Sequence, residues 1–479
     1  MAQVSKRVSK FRHDEGHWRQ RSPRHGARKN GRMKEREIAM AGMTPSVQTL
    51  RAVSRTHGQA ENGLPDEIEA ALLTGGFDRP YAFGLAMALI TRGVSLDVIG
   101  SDEIDSPEMH FTPKLRFLNL QGSRRQDATL AEKASRVLTY YVQLIRYTST
   151  AKPKIFHILW NNKLRFFDRT VLMLYYKLCG KKIAFTAHNI NAGKRDSTDS
   201  FLNRLTLRIQ YGLTDHIFVH TEKMKAELIE DFGVRGGVVT VIPFGINNSV
   251  PDSALTSEQA KRRLNIKPGE KTILFFGNIG PYKGLEFLVA AFQRLVAERE
   301  EYRLIIAGKP RGGSEKYLEG IDLAISRDVD QGRIVRRIEY VPDEETELYF
   351  KAADVLVLPY TQVSQSGVLF LGYSFGLPVI ATDVGCLRDD IVEGRTGFLC
   401  RPRDPHNLAK TIEVYFESDL FKNLNTRRQE IRNYAVGRHS WDVVGEVTRN
   451  AYAKLLGRIR YGTSCINSHP CVQRAGMDQ

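Results

Sequence analysis

Residues 271–284, KTILFFGNIGPYKG, constrain the fold of this chain more than any other stretch. The apolar run at 273–276 reads as a buried strand that stops at Gly277, and a short loop then delivers Lys283 and Gly284. GLEFLVAAFQRLVAERE follows, with Leu285, Leu288, Val289, Phe292 and Val296 at helical spacing, and predicts a helix packed on a sheet. Strand, glycine loop, lysine and helix place a cation at the carboxyl end of a parallel strand, where open α/β sheets take ligands.

The same alternation runs through most of the chain. IEAALLTGG reads as a first strand ending at Gly75 and Gly76, AFGLAMALITRG as a helix and VSLDVIG as the next strand. Later strands are expected in KIFHILW, KKIAFTAHN, DHIFVHT and VVTVIPFG, with helices between them. IPFGINNSVPDS is rich in turn residues and reads as a linker. A second series follows: TILFFG, YRLIIAG, RIVRRIEYV, ADVLVLPY and PVIATD. Such alternation predicts parallel sheets covered on both faces, hence an α/β chain of two doubly wound halves facing a cleft. The expected division is 66–245 and 246–430 for the halves, with 431–460 as a final amphipathic helix.

At 479 residues and 42% apolar content the chain is long enough for two cores, and no run approaches the roughly 18 apolar residues of a membrane span. Five cysteines without paired spacing indicate neither a disulfide framework nor a zinc site, which fits a reducing, cytoplasmic compartment. The formal charge of +16 is concentrated at the start, where residues 1–65 hold 14 Lys/Arg against 5 Asp/Glu. This segment has no apolar periodicity and is expected to be a disordered basic extension, as 461–479 is expected to be a disordered tail. An anchor to an anionic surface and an initiation site at Met40 or Met43 are the alternatives for the basic segment. Nucleic acid is not an expected partner, because the basic run joins no recognisable reading module.

A second anion device stands at Ser364-Gln365-Ser366-Gly367, between ADVLVLPY and the apolar VLFLGYSFG. Ser366 and Gly367 are expected near a helix N-terminus, where free N–H groups and the helix dipole favour phosphate. An ordinary N-cap serine is the plainer alternative. No DxD-like acidic pair is seen in a suitable loop, so no metal and no cofactor are expected. NNKLRFFDRTVLMLYYKLCGKK mixes basic and aromatic residues. It reads as a core helix with a basic outer face, or alternatively as a surface that leans on anionic lipid.

GNIGPYKG, LIIAG, AADVLVLPY, SQSGVLFLGYSFGLPVIATDVG and DIVEGRTGFLC, preceded by TAHNI, DHIFVHT and VIPFG, resemble the GT-B glycosyltransferases of family 4 (group 1) in order and spacing. The resemblance covers about 66–458. It implies two Rossmann-like domains, the second holding a nucleotide-sugar and the first an acceptor, with the last helix crossing back. It implies transfer of a hexose, with retention, to a saccharide or polyprenyl-linked acceptor in cell-surface polysaccharide assembly; peripheral contact at the inner face of the plasma membrane is the alternative that the basic-aromatic segment leaves open.

On this resemblance Lys283 and His188 are the candidate catalytic residues. Gly277, Asn278, Lys283, Gln365, Ser366, Gly367 and Val368 form the donor side, and Gly75, Gly76, His188 and Asn189 the acceptor side. The chain also departs from the family: Asn278 replaces the usual Arg, and Val363 and Leu371 stand where two glutamates are common. The alternatives are an inverting transferase or nucleotide-sugar epimerase of the same fold, and a non-catalytic GT-B subunit.

Overall fold

The computed structural model describes residues 67–458 apart from 77, 124–127, 196–197 and 247–249. The basic extension and the tail expected at the two ends lie outside the described residues.

Two parallel sheets organise the chain. The first contains β1 (Ile68–Leu73), β2 (Val94–Gly100), β3 (Leu115–Asn119), β4 (Ile155–Ile158), β5 (Lys182–Thr186), β6 (His216–Val219) and β7 (Val239–Val241). Their spatial order is β3-β2-β1-β4-β5-β6-β7. The second contains β8 (Lys271–Phe276), β9 (Tyr302–Ala307), β10 (Ile334–Arg337), β11 (Val355–Leu358), β12 (Val379–Thr382) and β13 (Gly397–Cys400), in the order β10-β9-β8-β11-β12-β13. Every ladder is parallel. In each lobe the first strand is central, and the order reverses beside it, between β1 and β4 and between β8 and β11. This is the doubly wound arrangement expected from the sequence, with both reversal points at the carboxyl edge of a sheet.

The near-continuous apolar strands are buried on both faces, as covered parallel sheets require. The helix Leu285–Glu298 buries Leu285, Leu288, Val289, Phe292, Leu295 and Val296 on the second sheet, the face its periodicity predicts. Strands β3 and β13 were not among the expected strands; each is short and lies at a sheet edge. The basic-aromatic segment departs further from expectation. It forms a helix Arg165–Phe167, a π-helical turn Asp168–Leu172 and a helix Met173–Leu178. Leu172, Met173 and Tyr176 face the core, while Val171, Leu174 and Leu178 are 52%, 51% and 80% exposed. Its outer face is therefore apolar rather than basic.

The lobes are tied together by the end of the chain. The helix Leu424–His439 buries Leu424, Ile431 and Ala435, the last two in the second lobe's core. The chain then turns at Ser440, whose hydroxyl accepts from the Asp442 N–H, and the helix Trp441–Leu455 packs on the first-lobe helix Arg79–Thr91. The Trp441 indole N–H donates to the Ile246 carbonyl at 2.8 Å, and the Tyr452 hydroxyl meets His157 Nδ1 at 2.7 Å. The indole lies flush on two glycines: a Cβ on Gly84 would fall 2.2 Å from it, and one on Gly245 2.4 Å. The segment expected as a linker is thus packed at 242–246, while Pro251, Asp252 and Ser253 are exposed.

Gly84 lies inside a helix, where alanine is worth about 1 kcal/mol more than glycine. Overlap with the rigid indole opposes this by about 1–3 kcal/mol. Gly84→Ala is expected to lower unfolding stability, and the same change in a Trp441→Ala background to raise it. Denaturant unfolding of the four proteins reads the sign reversal, and its absence would show that Trp441 does not set the fit.

Candidate functional site

In the second lobe, the exits of β8 and β11 build one wall around the reversal point. The β8 exit turns at Gly277, whose φ of 104° suits glycine, and enters the 3-10 turn Pro281–Lys283. Gly284 follows at φ 64°, and a Cβ there would lie 2.1 Å from the Pro359 carbonyl on the β11 exit. The Thr361 N–H donates to the Tyr282 carbonyl at 2.9 Å, which fastens the two exits together. Lys283 is therefore not a solvated surface lysine. It is buried, its ammonium donates to the Tyr360 hydroxyl at 2.6 Å, and it lies 3.8 Å from the centre of that ring. Burial pushes the Tyr360 phenol above its ordinary value, so it stays neutral beside the cation.

The contacts continue into the second motif. Tyr360 Oη is 3.3 Å from Ser366 Oγ. Ser366 occupies the N-cap position of the helix Gly367–Ser374, yet makes no side-chain capping bond. The ordinary N-cap reading of Ser366 is thus corrected: its hydroxyl serves Tyr360. Gly367 is exposed and not left-handed, and a Cβ there would make ordinary contact with Phe244 at 3.6 Å. Its backbone therefore does not itself require glycine. Val368 packs against Gly277, and Asn278 is exposed. Gln365 turns inward, with its Nε2 donating to Asp390 Oδ2 at 3.2 Å and its Oε1 buried without a partner. Tyr360 and Asp390 were missed by sequence reasoning. Only the position of Tyr360 at the end of ADVLVLPY hinted at the first.

In the first lobe the β1 exit turns through Gly75 and Gly76, at φ 60° and 71°. A Cβ on Gly75 would come within 2.8 Å of the Trp160 carbonyl, just beyond β4, so glycine allows these exits to meet. His188 follows β5 and stacks on Trp160 with centroids 4.3 Å apart and planes 3° apart. Its Nδ1 lies 3.1 Å from Nε2 of His220, and its own Nε2 is buried without a partner. Burial, then the neighbouring His220 and His157, hold His188 well below its ordinary value, so it is neutral. Asn189 beside it is half-buried.

Phe244 joins the two crevices. It packs on His188 and His220 on one side and stacks on Phe370 of the helix Gly367–Ser374 on the other, with centroids 5.4 Å apart. Nearby, the lobes also touch through Cys386 Sγ and Thr221 Oγ1 at 3.1 Å. The expected donor and acceptor residues therefore face one another across a short span. Among the described residues no group of three or more His, Cys, Asp or Glu is placed to hold a metal ion.

Asp390 lies between Gln365 and His439, whose Nε2 is 3.8 Å from its Oδ1. Burial pushes the Asp390 carboxyl up to about 7 and His439 down to about 4, so the two do not form an ion pair below neutral pH. Between pH 4 and 7 the native chain keeps a proton here that the unfolded chain has lost. Stability tied to Asp390 is therefore lost as pH rises through about 7. Asp390→Asn, which does not titrate, should gain on the wild type by about 2–4 kcal/mol between pH 4.5 and 7.5. Parallel stability–pH curves for the two proteins would contradict this.

The description "Glycosyl transferases group 1" matches residues 270–418, and "Glycosyltransferase Family 4" matches residues 80–250. The D-inositol 3-phosphate glycosyltransferase of Corynebacterium efficiens is 23% identical over 351 residues, covering 71% of this chain and 82% of the relative. Sucrose-phosphate synthase of Thermosynechococcus elongatus superposes with a TM-score of 0.65 at 18% identity, over 82% of this chain and 99% of that one. Anabaena HepE, crystallised with UDP-glucose, superposes with a TM-score of 0.61 at 15% identity, again over 82% and 99%. Both family descriptions fall on the lobes whose strand order and crevices are described above, and the chain is a GT-B-fold glycosyltransferase related to the group 1 and family 4 enzymes.

Proposed function

We propose that the chain transfers a hexose from a nucleotide-diphosphate sugar to a saccharide or polyprenyl-linked acceptor, with retention and without a metal. The observation that carries this reading is the run Lys283–Tyr360–Ser366 at the reversal point of the second sheet. When the bond from the anomeric carbon to the β-phosphate oxygen breaks, its electron pair leaves on phosphate. A fixed ammonium and the N-terminus of the helix Gly367–Ser374 supply what that charge needs. The UDP and UDP-glucose complexes of HepE, which shares the fold, support a nucleoside diphosphate donor. Gly277 and Val368 form the floor of the donor crevice. Gln365, held by Asp390, shapes its edge rather than reaching for the sugar. His188, with Gly75, Gly76 and Asn189, forms the acceptor side.

Lys283→Ala is expected to lower turnover by about 10² or more, about 2.7 kcal/mol of transition-state stabilisation, with the fold retained. A nucleotide-sugar panel read by thermal shift and product formation identifies the donor, and EDTA should leave turnover intact. Near-normal turnover by a folded Lys283→Ala protein would remove Lys283 from the mechanism. Donor binding without turnover would favour a non-catalytic subunit.

A lipid-linked acceptor is favoured by the first lobe's outer surface. The helix Phe201–Leu213 exposes Phe201, Leu202, Leu205 and Ile209, interleaved with exposed Arg204 and Arg208. It packs beside the π-helical turn at 168–172 and the helix Met173–Leu178, whose outer side carries Val171, Leu174 and Leu178. Apolar side chains among arginines suit the interface of an anionic bilayer. Among the described residues no helix is long and apolar enough to cross one. Sedimentation with vesicles containing phosphatidylglycerol should pull down the wild type and lose Phe201→Glu/Leu205→Glu. Equal recovery of both, or none with anionic vesicles, would rule out this surface.

A further inference from the structure

The two histidines at the first crevice fix one another's protons. His220 directly follows β6, and His188 lies two residues beyond β5, the neighbouring parallel strand. Parallel strands side by side bring both imidazoles to the same edge of the sheet. His220 Nδ1 is 3.3 Å from the Ile242 carbonyl oxygen, and His220 Nε2 is 3.1 Å from His188 Nδ1.

A carbonyl oxygen only accepts, so His220 Nδ1 must carry the hydrogen. A neutral imidazole has one N–H, so His220 Nε2 is bare and accepts. His188 Nδ1 must then donate to it, which leaves His188 Nε2 bare. The opposite assignment aims the lone pair of His220 Nδ1 at the Ile242 oxygen. It also leaves an N–H of His188 buried with nothing to receive it, since His188 Nε2 has no partner. Double protonation is opposed by burial, which holds His220 down to about 4 and His188 well below its ordinary value. Trp160, stacked on His188 with planes 3° apart, and Tyr81, edge-on at 4.6 Å, keep the ring from turning over.

We propose that His220, anchored by the Ile242 carbonyl, is a positioning residue that locks His188 in the Nδ1–H tautomer. His188 can then take at Nε2 only a group that donates a hydrogen, which in a sugar substrate is a hydroxyl. This rests on the reading of the first crevice as the acceptor side. It excludes a phosphate or carboxylate oxygen as the partner of His188. Nε2 is enclosed, so a hydroxyl reaches it as the surrounding rings part.

Two-bond 1H–15N correlation spectra of the full chain with labelled histidine test this, with His188→Phe used to assign the resonances. The wild type should show His188 protonated at Nδ1 and bare at Nε2, the less common tautomer. His220→Leu should release His188 to the Nε2–H form and lower kcat with UDP-glucose by about tenfold or more, with donor KM nearly unchanged. His220→Gln, whose Oε1 can accept the His188 N–H, should restore both. An Nε2–H His188 in the wild type overturns the inference, as does a folded His220→Leu protein with the His188 tautomer unchanged. If UDP-glucose is not turned over at all, kcat is read with the donor that the nucleotide-sugar panel identifies, and the spectrum decides the tautomer independently of the proposed function.

Discussion

Parallel neighbours cannot be joined by a tight turn, so every strand here must return through a crossover, and all strand exits of a lobe lie on one edge of its sheet. Because the first strand of each lobe is central, the crossovers diverge beside it and leave a crevice. The depth of each crevice depends on how closely the flanking exits approach. Gly284 against the Pro359 carbonyl and Gly75 against that of Trp160 show that these approaches admit no Cβ. Between β8 and β9 the fit is equally tight, since a Cβ on Gly308 would lie 1.8 Å from the Gly277 carbonyl. Gly75, Gly284 and Gly308 thus belong first to sheet geometry, and the site inherits its shape from them.

Electrostatics at the second crevice rest on the same packing. Tyr360 offers Lys283 both a ring face and a hydroxyl, and burial keeps that hydroxyl neutral. The ammonium is oriented by this partner without being neutralised by it. Ser366 extends the contact to the start of the next helix, so one aromatic residue aligns the two devices that sequence spacing placed about eighty residues apart.

The central strands were legible because burial on both faces demands uninterrupted apolar runs, and the helix Leu285–Glu298 because one buried face demands its period. Strands β3 and β13 were not: β3 (LRFLN) is a partly exposed edge strand whose apolar residues are interrupted by polar ones, and β13 (GFLC) is an edge strand of four residues that opens on a glycine. Lys283, Ser366 and the glycine turns were found through motif order. Tyr360, Asp390 and His220 were not, since each matters through a neighbour distant in sequence. The outer face of the helices at 165–178 was misjudged for a related reason. The mix of basic and aromatic residues suggested a core helix with a basic outer face, but with apolar residues on both sides it could not say which of them the core leaves exposed.

The flush seat of Trp441 on Gly84 and Gly245 bears on how the chain is made. The first lobe leaves the ribosome before the second, and domains commonly fold in that order. Yet Val444, Ala451 and Tyr452 belong to the first lobe's own core, and Tyr452 satisfies the buried His157. The lobe synthesised first is therefore completed last, with one apolar face open until the final helix arrives. Its completion is timed by the translation of a segment more than two hundred residues downstream of β6.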